Sequence, residues 1–194
     1  MKTIAWLLLF AGLNVFGQSI QKKDGTTIDL TGGNIHVEAG NKRLVYFQKD
    51  SKVEQRVKFK NLNQATWGDF RFKTFDINGK LKGYYIIAEN AGKTLLSSKR
   101  IRIKSRGGFE SSYTHYEVVV LDAQNRILDA VSFTDENTDK KAIERGKVAP
   151  MIKNHFANCS KLVEKATAFE SPPSDTQNTM ILVLLNEPTF VKCE

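Results

Sequence analysis

The 194-residue chain is poor in the side chains that most often do chemistry. It has two cysteines, Cys159 and Cys193, and three histidines, His36, His115 and His155. His155 and Cys159 are four apart, which is helical ligand spacing, but no second ligand-spaced pair completes a metal set. No metal and no cofactor is therefore expected. There is no G-x-S-x-G elbow, no H-E-x-x-H and no P-loop. Ser19–Lys22 (SIQK) fits S-x-x-K but lacks the partner motifs, and Asp76–Lys80 (DINGK) has too few oxygen ligands for a calcium loop. Ser111 or Ser112 would form a nucleophile–base pair with His115 only if the fold apposed them; a polar loop beside a strand accounts for them far better. The motifs read as a non-enzymatic protein. An active site assembled from distant residues is the remaining enzymatic reading.

Long apolar runs are also missing, except at the start. The chain opens MKTIAWLLLFAGLNVFGQS, with Lys2 ahead of an apolar run from Ile4 to Leu13 and small residues at Val15 and Gly17. This is the pattern of a secretory signal peptide, residues 1–17, cleaved between Gly17 and Gln18. A membrane span takes about 20 apolar residues, and Asn14 and Gly17 cut this run short. Met180–Leu185 (MILVLL) is shorter still. The mature chain is expected to be secreted or periplasmic, without a transmembrane segment. In an oxidising compartment Cys159 and Cys193 should form one disulfide, closing a loop of about 35 residues.

Positive charge is abundant and unevenly placed. The formal net charge is +8. From Lys42 to Arg106 there are 17 basic and five acidic residues; from Gly107 to Glu194 there are nine basic and 13 acidic. A half so basic invites an anionic partner.

From about Thr26 to Thr134 the chain alternates between apolar and polar residues, with turn signals every eight to twelve positions. Strands are expected at Arg43–Gln48, Val53–Lys60, Phe70–Lys73, Leu81–Ala88, Lys93–Arg106, Tyr116–Leu121 and Arg126–Phe133. Asn78-Gly79 is the strongest hairpin signal, because both residues tolerate the positive φ of a type I′ turn. After Thr134 the spacing becomes helical through Ala142, Met151, Ile152 and Phe156, and again through Leu162, Val163, Ala166 and Phe169. Pro150 should kink or split the first of these helices. MILVLL forms a last helix, capped by Asp175 or Thr176. The expected fold class is α+β: a curved antiparallel meander of about seven to nine strands over 18–134, barrel- or sandwich-like, with a C-terminal helical segment over 135–194 packed on it.

One stretch concentrates the charge. Ser98–Gly108 reads SKRIRIKSRGG, five of eleven residues basic and none acidic. Arg100, Arg102, Lys104 and Arg106 share one face of a strand; Ile101 and Ile103 share the other and should enter the core. Arg56, Lys58 and Lys60 alternate in the same way, as do Arg71 and Lys73. If these strands are neighbours, nine cations line one surface. Glu54, Glu110 and Glu117 are available to pair with some of them. The candidate partners are an anionic polysaccharide, membrane headgroups or an acidic protein. Nucleic acid is disfavoured, because Phe59, Phe70 and Phe72 fall on the face opposite the cations and only Phe75 shares the phase of Arg71 and Lys73, which leaves bases little to stack on there. A different reading starts from LKGYYIIA and YEVVVL, apolar on both faces, which could enclose a small apolar ligand in a curved sheet.

Overall fold

The computed structural model describes residues 17–106 and 108–193, excepting the side chains of residues 106 and 109. The signal peptide read from the sequence falls almost wholly outside the described residues. No proline occurs before Pro150, so every backbone N–H of the strand-forming half is free to join a ladder. The strands are β1 (Ser19–Lys22), β2 (Thr27–Asp29), β3 (Asn34–Glu38), β4 (Arg43–Phe47), β5 (Gln55–Lys58), β6 (Leu62–Trp67), β7 (Phe70–Ile77), β8 (Lys80–Asn90), β9 (Lys93–Arg106), β10 (Phe109–Leu121) and β11 (Ile127–Thr134). Helices α1 (Asp139–Gly146), α2 (Val148–His155), α3 (Ser160–Ala168) and α4 (Met180–Asn186) follow, then a short β12 (Val191–Lys192). This is an α+β fold built on an antiparallel meander, and its main sheet is open rather than closed into a barrel.

That main sheet has nine strands in the order β11-β10-β9-β8-β7-β6-β1-β2, with β12 added in parallel beside β8 at Ala88 and Glu89. The β7–β8 turn is Asn78-Gly79, with φ of 54° and 72°, as a type I′ hairpin requires. Strands β3, β4 and β5 form a separate three-stranded sheet, whereas alternation alone places them in one meander with the rest. The chain turns through a short 3-10 segment at Phe59–Asn61, which releases β5 from the ladder that β6 enters. Val53, which alternation places on the same face as Val57 and Phe59, precedes β5 and is exposed.

Residues paired across a sheet share a face. Phe72 pairs with Tyr85, Tyr85 with Ser97, Ser97 with Val118 and Val118 with Val131, so one face runs through all five strands. The small sheet covers one end of it: Ile35, Leu44, Tyr46, Val57 and Phe59 pack with Phe72, Leu62 and Ile20. The helices cover the other end: Val148, Ile152, Phe156, Leu162, Leu184 and Leu185 pack with Val118, Val131 and Phe133. On the opposite face Phe75, Tyr84, Ile86, Leu96, Val119 and Leu121 form a third cluster with Phe190. The doubly apolar strands β8 and β10 are therefore packed on both sides.

Ile101 and Ile103 correct the sequence reading. They lie on the helix-bearing face, as their alternation demands, yet are 73% and 68% exposed. The helices reach along β9 only as far as Lys99, whose ammonium caps the last carbonyl of α4 at Asn186 (2.8 Å). β9 runs on beyond that cover.

Two fastenings hold the helices. Cys159, just ahead of α3, and Cys193, just after β12, form a disulfide with Cα atoms 5.0 Å apart. Arg145 of α1 is buried and hydrogen-bonds through its guanidinium to the carbonyls of Thr134 (2.9 Å) and Gln177 (2.7 Å). It joins the end of β11 to the loop before α4. The helix break falls at Lys147, and Pro150 occupies the first turn of α2, where its missing N–H costs no intrahelical bond.

Replacing Cys159 and Cys193 together by serine should lower the unfolding free energy by about 3–4 kcal/mol, read by urea denaturation, if loop closure is what the bond supplies. An unchanged midpoint would mean that packing alone holds β12 against α3.

Candidate anion-binding groove

The ladder between β8 and β9 runs from Asn90–Lys93 to Tyr85–Ser97 and ends there. Beyond it, Lys80–Tyr84 of β8 and the second half of β9 separate, and the small sheet meets the gap. A pocket of about 360 Å³ fills the opening. Leu81, Lys82 and Gly83 line one wall; Ser98, Arg100 and Arg102 line the other; Ala39, Lys42 and Phe59 of the small sheet close the side; and His115, Glu117 and Ser132 complete it from β10 and β11. A shallower groove of about 690 Å³ continues from it along Lys58, Lys60, Gly79 and Lys80, sharing Lys42, Phe59, Leu81, Lys82 and Arg100.

Local structure explains why these side chains converge. On β9 and β10 the register pairs Ser98 with Glu117 and Arg100 with His115, and Glu117 pairs in turn with Ser132 on β11. These residues form adjacent rows on one face. Lys42 ends the β3–β4 turn with a left-handed backbone (φ 49°). Its carbonyl accepts the Phe59 N–H at 2.9 Å, fixing the turn beside the pocket. A non-glycine residue held at positive φ is backbone strain that the surrounding contacts must sustain.

The electrostatics are one-sided. Seven cations line the two spaces: Lys42, Lys58, Lys60, Lys80, Lys82, Arg100 and Arg102. Among the described residues Glu117 is their single carboxylate, and Lys82 donates to both its oxygens at 2.8 and 3.0 Å. Among the described residues no carboxylate pairs with the other six. His115 Nε2 lies 3.0 Å from Ser132 Oγ. Burial, then the Arg102 charge, push its pKa down, with Arg100 and Lys141 adding to the effect and Glu117 opposing it. The imidazole is therefore held neutral at pH 7. Beneath these strands, Tyr84 is fully buried with its hydroxyl lacking a well-formed hydrogen bond; burial and the Glu117 charge raise its pKa.

The nine cations singled out in the sequence do not share one surface. Arg100, Arg102, Lys58 and Lys60 line the groove. Arg56 is paired with Glu54 on the small sheet. Arg71 stacks over the Phe190 ring at 3.5 Å, in a separate recess with Asp69 and Lys192, and Lys73 lies 5.5 Å from the Phe75 ring centre. Lys104 bonds to Glu136 at 2.6 Å and sits over the Tyr113 ring. The Arg106 side chain lies outside the described residues. The reason is topological: β5 belongs to the small sheet, and β8 separates β7 from β9. Lys42, Lys80 and Lys82 join the groove without having been marked by the sequence reading. Lys80 and Lys82 follow the Asn-Gly turn on β8 and alternate with Leu81, the signal that could have marked them.

Ser132 and His115 have the spacing of a nucleophile and base, whereas the sequence points to Ser111 and Ser112 for that part. No carboxylate orients the other imidazole nitrogen among the described residues, so the contact reads as a cross-strand hydrogen bond. No group of three or more His, Cys, Asp or Glu is placed to hold a metal ion among the described residues, and none of their helices is long and apolar enough to cross a membrane. Comparison of the chain with protein-family models, curated proteins and solved structures gave no match.

The His115 environment can be read by NMR titration. Its imidazole should titrate below the ordinary value of 6.5, and Arg102→Gln should move it upward. Because the folded value is depressed, the unfolded chain binds the proton more readily. The native state is then favoured fully above pH 6.5 and loses that advantage as pH falls below it. A His115 titration at or above 6.5 would contradict the burial of the ring and the placement of Arg102 beside it.

Proposed function

We propose that this is a secreted or periplasmic, non-enzymatic protein that binds an anionic polymer or surface through the groove between β8, β9 and the small sheet. The observation that supports this reading is the convergence of seven cations on two contiguous spaces with, among the described residues, a single and already paired carboxylate. Like charges gathered in a cleft repel one another and raise the energy of the empty state; an anion relieves that cost. Field lines focused in a cleft also raise the local anion concentration and speed capture. Pairing of Arg56 and Lys104 elsewhere accords with this, since cations serving only solubility have no reason to be left unpaired in one place. A disulfide between Cys159 and Cys193 fits an oxidising compartment. The reading as a carrier of a small apolar ligand has less behind it, because the apolar residues of LKGYYIIA and YEVVVL pack into the three clusters and, among them, only Leu81 lines either space.

Retention on a heparin column across a salt gradient tests the proposal. Arg100→Glu/Arg102→Glu should elute at much lower salt than the wild type. Arg71→Glu/Lys73→Glu, with the same change in net charge, should elute close to it. The slope of log affinity against log salt should shrink by roughly one for each protein–anion ion pair removed. Equal displacement of the two variants would mean that net charge alone is being read.

A further inference from the structure

Resting on that reading, we infer that the pocket at the β8–β9 divergence takes one acidic sugar unit of an anionic polysaccharide, with neighbouring units lying along the Lys58–Lys60–Lys80 groove. The mixture of groups in the pocket points there. A site for a bare phosphate or sulfate needs donors and positive charge only. This pocket also presents Glu117, which repels an oxyanion but accepts hydrogen bonds from hydroxyls, together with Ser98, Ser132 and a neutral His115. Sugar hydroxyls both donate and accept, and such groups match them.

The distribution within the pocket has the polarity of a uronate. Arg100 and Arg102 stand on one wall with guanidiniums that no carboxylate pairs among the described residues, and a planar guanidinium binds a carboxylate or sulfate in a fork. Glu117 and Ser132 sit one row further along the same face. Phe59 and Leu81 supply an apolar wall against which the C–H face of a pyranose ring can lie. A volume of about 360 Å³ holds a single hexose unit with some water, and not a folded peptide. The open continuation into the second groove lets a chain run on rather than end in the pocket.

The test uses the mature protein and three probes: a four-unit oligogalacturonide, a neutral tetrasaccharide of the same length, and polyphosphate. Calorimetry should show the oligogalacturonide bound, the neutral sugar unbound, and polyphosphate held more weakly per charge. Glu117→Gln should act with opposite signs, weakening the uronide roughly tenfold through loss of a charged acceptor while strengthening polyphosphate. Ser132→Ala should weaken the uronide alone. Unchanged thermal unfolding and far-ultraviolet circular dichroism in both variants would show that each still folds. If Glu117→Gln strengthens both anions alike, or vesicles of anionic lipid compete with the uronide on equal terms per charge, the site reads charge and not sugar. The inference then fails while the anion-binding reading stands. If none of the anionic probes binds, both fall.

Discussion

The Phe59 ring lies directly on the backbone of β8 at Gly83. A Cβ there would stand 2.7 Å from the Phe59 ring and 2.3 Å from Phe72, closer than carbon atoms approach without something shifting. Glycine is thus required for a steric reason and not for its dihedral freedom. That contact seats the small sheet against the large one at the place where β8 parts from β9. Phe59 is at once the last buried residue of the small sheet and a wall of the pocket. The core and the candidate site therefore share a side chain, and a change that moves the ring disturbs both.

Around that seat the molecule divides its tasks by face and by end. One face of the large sheet is covered twice, by the small sheet and by the helices, and the disulfide and Arg145 hold the helical layer in place. The other face buries its own apolar cluster and then becomes polar where β9 and β10 run on together. Charges concentrate at the junction of these regions. Arginines and lysines on adjacent strands would repel one another on a flat sheet. Here the divergence of β8 from β9 opens space between them and leaves room for a counter-charge.

Alternation carried much of the secondary structure into view. The strand at Lys93–Arg106, the Asn78-Gly79 hairpin, the helical second half and the Cys159–Cys193 bond can all be read from residue types and spacing, because each is a local rule or an even count of thiols. The placement of Ile101 and Ile103 could not. Alternation assigns them the correct face, but how far a covering layer extends is decided by where α4 stops. The separate small sheet was hidden for a related reason: a three-residue 3-10 turn at Phe59 looks in sequence like the continuation of an alternating strand. The groove needed the order of strands in space, which set Lys58 and Arg100 together and sent Arg71 and Lys73 elsewhere. Lys42 could be found only from the fold, since its part depends on a turn from another sheet reaching the gap.

The most direct measurement is a map of amide chemical-shift changes in the labelled protein, residues 18–194, as a heparin-derived oligosaccharide is added. The account predicts the largest changes at Lys80–Gly83, Ser98–Arg102, His115–Glu117 and the Ala39–Lys42 turn, saturating together with one dissociation constant. Changes centred instead on Arg56, or on Arg71 and Lys73, or spread thinly over every exposed lysine, would contradict it.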